Sequence, residues 1–546
     1  MHVCMLAAEN DRIPGGKVGG IGDVIRDLPP AMEAEGVAVS VIVPAYGRFH
    51  ERPDAKLITA FSVPFASNLE RVEIHELTTL STTGVTQYVL HHPYFAVGGP
   101  GVIYCDDAPG RTFASDATKF ALYSMAALCA IRDGLLRARG EVSTVDVIHL
   151  HDWHTAFAAA LLAFDRSFAP LARIRTVYGI HNLSLQGIRP LGGDASSLAV
   201  WYPDLEYQKD RIVDPRWSDC INPMATAIRL ADRVHTVSPT YARDIIRPND
   251  PARGFHGGEG LEADLGKIHG KGQLFGIVNG IDYPADTIPP INRSPNATAS
   301  AQSASNTGTA AHEPASWLAL TATLADELLA TFGNTDVLPA ADYLAHQRLV
   351  GWQAKPRPRH LLTSVGRLTA QKVSLLLHRD GKGREVLDTL LERLAGRGKL
   401  VLLGTGDEAL QRACQRLAAR HANFCFIRRF SLPVSDLLFE NGDLFLMPSS
   451  FEPCGISQML AMKAGQPPLV HAVGGLADTV DDDEDGFAFS GDSIGAQATA
   501  FLQRLDDALT LRENEPERWT AIVDAAKARR FPWRESAKRY INELYS

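Results

Sequence analysis

Short apolar runs, each closed by a turn rich in Gly, Pro, Asn or Asp, alternate with longer stretches of helical periodicity along the chain. That alternation predicts β/α units and parallel sheets. Val3 to Ala8 is the first apolar run, followed by a loop from Glu9 to Gly20. Ile21 to Glu35 has a helical pattern, although Pro29-Pro30 is expected to break or kink it. Val37 to Pro44 reads as a second strand, and Val145–Leu150, Arg175–Ile180, the run from Arg233 and the run from Leu274 as further ones. From about Asp286 to Pro314 the chain turns to Pro, Ser, Ala, Thr and Asn with little apolar periodicity, the signature of a mobile tract. Trp317 to Gln353 is patterned as helix and reads as a connection. A second strand series begins near Arg359, at 361–365, 399–403, 424–427, 443–448 and 468–470. The remainder from about Gly495 is predicted helical, and Trp533–Tyr545 is amphipathic enough to pack back on a domain. The expected fold class is therefore α/β, with doubly wound parallel-sheet domains at 1–285 and 356–546 joined through 286–355.

Composition narrows the possible partners. A chain of 546 residues is too long for one core, so two large domains are expected. The formal net charge of -9 argues against nucleic-acid binding but is compatible with an uncharged substrate such as a sugar polymer. The seven cysteines show neither metal spacing nor a paired framework, which fits a reducing compartment. The apolar run at Val3 is too short for a signal or membrane segment. The reading is a cytoplasmic protein with no membrane partner, and it sets no oligomeric state.

The candidate chemistry lies at strand ends, where ligands bind in open α/β sheets. Glu452 follows the predicted strand 443–448 and precedes the predicted helix Met459–Ala464, with Pro453-Cys454-Gly455 fixing the backbone beside it. The loop Gly15–Asp23 carries Lys17 and repeated glycines, which allow close approach of backbone N–H groups to a ligand. It matches neither GxGxxG nor a P-loop. His149 and His151 share one face of a predicted strand and, with Asp152 and His154, raise a metal reading. The order does not match an H-x-H-x-D-H cluster, and histidines hydrogen-bonded along a cleft floor are the favoured alternative. His181-Asn182 ends another strand. Arg367 and Lys372 follow the strand 361–365 and suit a diphosphate, one as a planar fork and the other as a point charge.

Taken in order, Lys17–Val24, His151–His154, His181–Leu183, Thr236–Arg243, Val278–Asp282, Arg367–Lys372, Phe451–Gly455 and Gly474–Val480 resemble the bacterial glycogen synthases and plant starch synthases over nearly the whole chain. The resemblance implies a GT-B fold, two Rossmann-like domains facing across a cleft. It implies retaining transfer of glucose from a nucleoside-diphosphate-glucose, ordinarily ADP-glucose, to the non-reducing end of an α-1,4-glucan such as glycogen or maltodextrin, with no cofactor and no metal. It assigns Lys17, Gly19, Gly20, Asp23 and Asn279 to the donor side, His181 to the transferred glucose, and Arg367 and Lys372 to the diphosphate. Glu452 takes the essential acidic position, and Cys454, Gly455, Ile456 and Ser457 meet the glucosyl hydroxyls. His151, Asp152 and Asn182 line the acceptor side of the cleft. Leu460 stands where the wider fold often has a second Glu.

Val373, Ser450 and Val473 depart from the family pattern, as do the region Trp201–Ile221 and the absence of a Trp-Asn/Asp-Pro-Ala segment after Asp282. These departures bear on donor base, acceptor and rate rather than on fold. The alternatives they leave are a UDP-glucose donor, another acceptor, or a catalytically silent glucan-binding homologue. No lysine-bound pyridoxal phosphate site of a glucan phosphorylase is evident.

Overall fold

The computed structural model describes residues 1–108, 110–138, 140–283, 317–330 and 339–546. The tract expected to be mobile, 286–314, lies outside them. The chain divides into a unit of Met1–Pro251, Phe255–Asp282 and Phe531–Ser546, and a second of Ala252–Gly254 and Tyr283–Arg530.

The N-terminal unit is built on nine strands: β1 His2–Leu6, β2 Ala38–Pro44, β3 Ala55–Phe65, β4 Asn68–Leu77, β5 Val85–His91, β6 Val147–His151, β7 Arg175–Ile180, β8 Arg233–Thr236 and β9 Leu274–Gly276. They form one sheet in the order β9-β8-β7-β6-β1-β2-β5-β4-β3. From β9 to β5 all pairings are parallel, whereas β4 runs antiparallel to both neighbours. Every residue of β1, β2 and β6 is buried, as a parallel sheet covered on both faces requires. The strand order reverses between β1 and β6, which opens a crevice at their carboxyl ends.

Two local expectations are corrected here. The helix after β1 runs unbroken from Gly20 to Ala34 with both prolines inside it. Each proline removes one N–H donor, but the two losses fall side by side within one turn. Burial of Leu28, Pro29 and Met32 holds that turn on the core. The β3–β4 hairpin, absent from the reading above, turns at Ala66 and Ser67, both left-handed (φ 51 and 64).

The terminal segment belongs to this first unit. Ile281 N–H donates to Phe531 O at 2.8 Å, and Ser536 Oγ donates to Val278 O at 2.7 Å. A side chain at Gly280 would collide with the Trp533 backbone, its Cβ falling 2.6 Å from Trp533 Cα.

The C-terminal unit is a six-stranded parallel sheet of β10 His360–Val365, β11 Gly398–Leu403, β12 Phe424–Ile427, β13 Leu444–Met447, β14 Pro468–His471 and β15 Phe487–Phe489, in the order β12-β11-β10-β13-β14-β15. Its reversal lies between β10 and β13. The helices Trp317–Ala330 and Ala340–Gln353, expected as a connection, are part of its core. Trp317, Leu320, Leu324, Leu349 and Trp352 pack on Leu361, Val401, Leu403 and Ile427 of the sheet. Their apolar stripe is a sheet-covering face.

Candidate active site

In the C-terminal unit the site forms at the β10/β13 reversal. The chain leaves β10 through Gly366, Arg367 and Thr369 and enters the helix Ala370–Leu377, which carries Lys372 in its first turn. It leaves β13 through Pro448, Ser449 and Ser450 and enters the helix Ser457–Ala464 after Glu452. Arg367, Lys372, Val373, Met447 and Ser449 line one small pocket. Lys372 Nζ donates to Glu452 Oε2 in a close ion pair. Ser449 Oγ reaches the same oxygen at 3.4 Å. Glu452 is buried, at 6% exposure, whereas Arg367 is exposed and makes no side-chain hydrogen bond or ion pair among the described residues.

The loop carrying Glu452 is held from two sides. Gln371 Nε2 donates to Phe451 O at 2.7 Å, and Ser450 N–H donates to Gln371 O at 2.8 Å. Opposite, Gly475 N–H donates to Glu452 O at 2.9 Å. Gly474 is left-handed (φ 47), and a Cβ there would stand 2.0 Å from Glu452 O, so this position demands glycine. Cys454 is buried, and Gly455, Ile456 and Ser457 lead into the helix N-terminus, whose first N–H groups have no intrahelical partners. Gln458 Nε2 donates to Cys454 O at 3.2 Å and to Thr479 Oγ1 at 3.1 Å, closing the turn.

In the N-terminal unit two groups of polar residues form at the carboxyl ends of β1, β6 and β7. The first is the glycine loop. Val18 and Gly19 N–H donate to Glu9 Oε2 at 2.7 and 2.5 Å, and Tyr104 OH donates to Glu9 Oε1 at 2.6 Å. Lys17 Nζ donates to Asp23 at 2.5 Å and to Asp11 at 3.4 Å. Burial raises the Asp23 pKa, against the pull of Lys17 and Arg26. Gly20, exposed, opens the helix. Sequence reasoning missed Glu9 and Tyr104. Glu9 carries the signal that identified Glu452, an acidic residue just past a buried strand at the reversal of strand order.

The second group is a buried histidine cluster. His149 and His151 lie on one face of β6 with ring centroids 4.1 Å apart. His149 Nδ1 meets Tyr545 OH at 2.8 Å, and His149 Nε2 meets His235 Nε2 at 2.8 Å. His149 and His235 stand on the two strands flanking β7, and they meet over Gly179. A Cβ at Gly179 would fall 2.6 Å from His235 Nε2 and 3.3 Å from His149 Nε2. His151 Nδ1 meets His181 Nε2 at 2.9 Å. Burial lowers the pKa of His149 and His151 well below the ordinary imidazole range, that of His181 to about 4, and those of His154 and His235 to about 3. Neighbouring imidazoles add to the lowering at every one of these except His181. All five rings are thus neutral at pH 7. Asp152, left-handed at φ 53, accepts His181 N–H at 2.7 Å and Asn182 N–H at 3.5 Å, and burial raises its carboxyl to about 7.

His154 lies apart from the other histidines, among Tyr104, Phe120 and Trp153. Asn279 is buried, and its Oδ1 has no hydrogen-bond partner among the described residues. The cluster is not arranged as a metal centre: both nitrogens of His149 are committed to protein partners, and no group of three His, Cys, Asp or Glu among the described residues is placed to hold an ion.

Comparison with known proteins bears on both units. Residues 2–267 match the starch synthase catalytic domain family, and residues 353–522 match glycosyl transferases group 1. The chain is 32% identical to a glycogen synthase of Streptococcus equi subsp. equi over 100% of its own length and 99% of that protein. It is 32% identical to a glycogen synthase of Lactiplantibacillus plantarum over 98% of each. Among solved structures it superposes on the catalytic domain of starch synthase IV from Arabidopsis thaliana, bound to ADP and acarbose. That match has a TM-score of 0.71 and 26% identity, covering 100% of this chain and 98% of the other.

Proposed function

The chain belongs to the glycogen synthase family, glucosyltransferases of GT-B fold, and from that premise we propose that it moves glucose from ADP-glucose to the non-reducing end of an α-1,4-glucan, with retention and without a metal or cofactor. One observation carries the reading. At the strand reversal of the C-terminal unit, a buried carboxylate is paired with a lysine, and an arginine with no side-chain partner among the described residues lines the same pocket as that lysine. A donor diphosphate supplies the oxygens that Arg367 and Lys372 are built to bind. Each charge-assisted hydrogen bond of this kind contributes about 1.5–3 kcal/mol. As Lys372 turns to phosphate, Glu452 is released to accept from sugar hydroxyls, and the N–H groups around Gly455–Ser457 supply donors beside it. ADP in the starch synthase IV structure supports the adenine donor, and acarbose there supports a glucan-like acceptor.

The chemistry is a displacement on one face of the sugar. The bond from C1 to the diphosphate oxygen breaks, the acceptor hydroxyl forms its bond to C1 on the same face, and its proton passes to the departing phosphate. Stabilising the charge that develops on that phosphate is electrostatic catalysis by Arg367 and Lys372. With Leu460 on the helix that follows Glu452, no second carboxylate serves as a covalent nucleophile there.

Among the described residues no helix is long and apolar enough to cross a membrane; a cytoplasmic location is part of the proposal. Glucose transfer to glycogen from ADP-glucose and from UDP-glucose, each with and without chelator, tests the whole reading. Chelator-resistant transfer with ADP-glucose preferred is expected. Transfer from UDP-glucose alone overturns the donor, and transfer from neither overturns the activity.

A further inference from the structure

His151 is tied to one ring only. Its Nδ1 lies 2.9 Å from His181 Nε2, and its Nε2 is buried without a hydrogen-bond partner among the described residues. The ring of His149 lies 4.1 Å from it, tilted by 32°, but cannot share a proton with it, because both nitrogens of His149 are taken by Tyr545 and His235. Asp152 does not intervene either, since its carboxyl accepts the backbone N–H groups of His181 and Asn182. His151 and His181 therefore form an isolated pair of neutral imidazoles with one proton between them.

That proton has two possible owners. If His181 Nε2 carries it, His151 must carry its own proton on Nε2, which leaves an N–H buried without an acceptor. If His151 Nδ1 carries it, His151 Nε2 is a bare lone pair, and His181 carries its proton on Nδ1. A buried orphan N–H is the rarer and more unfavourable of the two faults. We propose that His151 is a positioning residue that fixes His181 in its Nδ1–H form, so that the free edge of His181 presents a hydrogen-bond donor to an oxygen of the glucosyl group. The sugar contact rests on the proposed function; the tautomer does not. His181 retains 9% exposure, and its Nδ1 has no protein partner among the described residues, as a ligand-facing edge requires. Burial keeps both rings neutral, so the arrangement persists at the pH where the protein works.

The assignment predicts which substitutions are tolerated. The side-chain amide of His151→Asn places an N–H where Nδ1–H stood, whereas His151→Leu fills the space without a donor. His151→Leu is expected to lower kcat at saturating substrates by about tenfold or more. His151→Asn is expected to restore it to within a few-fold, with thermal midpoints showing that both variants fold. Long-range 1H–15N correlation spectra of histidine-labelled protein read the tautomer directly, with the His181 signals assigned by their loss in His181→Gln. Wild type and His151→Asn are expected to carry the proton on His181 Nδ1. A wild-type His181 protonated on Nε2 overturns the proposal whatever the activities are, as does His151→Asn being no better than His151→Leu. Wild-type protein showing Nδ1–H yet transferring no glucose upholds the tautomer and overturns the sugar contact together with the proposed function.

Discussion

The two units place polar side chains at the same topological position, the carboxyl ends of parallel strands beside a reversal of strand order, and fill it with opposite electrostatics. Beside the ion pairs of Lys17 on the glycine loop, the N-terminal unit holds buried rings bonded to one another: Tyr545, His149 and His235 in one series, His151 and His181 in another. In the C-terminal unit the occupants are charges, with Lys372 on Glu452 and Arg367 left uncommitted beside them. Rings enclosed by sheet and helix shed their charge, since burial penalises the protonated form. Lys372 and Glu452 instead meet as an ion pair. Neutral donors and acceptors suit sugar hydroxyls, and positive charges suit phosphates.

Acid separates the two halves most strongly. His149, His151, His154, His181 and His235 have depressed pKa values in the fold and ordinary ones, near 6.5, when unfolded. The unfolded chain therefore binds more protons below about pH 6.5, and the stability these groups confer above that pH is lost as pH falls toward their folded values. Asp152, raised to about 7, acts in the opposite sense: its contribution is full below its unfolded pKa and disappears as pH rises through 7. It offsets only part of the histidine effect. Each net proton changes stability by about 1.4 kcal/mol per pH unit. In the C-terminal unit burial lowers His360 and His471. Hydrogen exchange, corrected for its intrinsic pH dependence, is expected to show protection in β6–β8 falling more steeply from pH 6.5 to 4 than in β10–β14. Parallel declines would show that the cluster is not the acid-sensitive element.

The charged half is tested by removing its carboxylate. Glu452→Ala leaves Lys372 without its partner and, on the proposed function, the sugar without its acceptor. The loss expected is more than about 4 kcal/mol of transition-state stabilisation, a thousandfold or more in kcat, with folding retained. Near-normal turnover at saturating donor and glucan would remove Glu452 from the site.

How much of this was legible in the sequence depended on the kind of burial. Strands covered on both faces, such as β1, β2 and β13, read as continuous apolar runs and were located within a residue or two. The β3–β4 hairpin was not, because its strands are half exposed and interrupted by Lys56, Glu70 and Arg71. Its turn at Ala66-Ser67 also lacks the glycine or asparagine that usually marks left-handed turns. The helical pattern of Trp317–Gln353 was visible but not what it covers, since an apolar stripe does not name its partner.

Among the candidate residues of the two units, Glu452, Arg367, Lys372, His151 and His181 each stand out as polar residues at predicted strand ends. Glu9 could have been found by the same logic. His235 and Tyr545 could not, because their meeting with His149 depends on strand order, on the missing side chain at Gly179, and on where the terminal segment folds.

Arg367 is the smaller test of the charged half, because its side chain ties down no other group among the described residues. Its guanidinium has no protein partner among the described residues and lies exposed at the pocket. Arg367→Ala should therefore leave the thermal midpoint unchanged, whereas loss of a structural arginine would lower it. What is lost is the planar fork on the leaving diphosphate, roughly 2–4 kcal/mol of transition-state stabilisation, or tens- to a thousandfold in kcat/KM. Arg367→Lys keeps the charge but not the bidentate geometry and should recover only part of the rate. Full recovery by lysine would mean that the pocket reads charge alone, and unchanged kinetics in Arg367→Ala would confine diphosphate binding to Lys372. In either case the contrast between the units would shrink to a single ion pair.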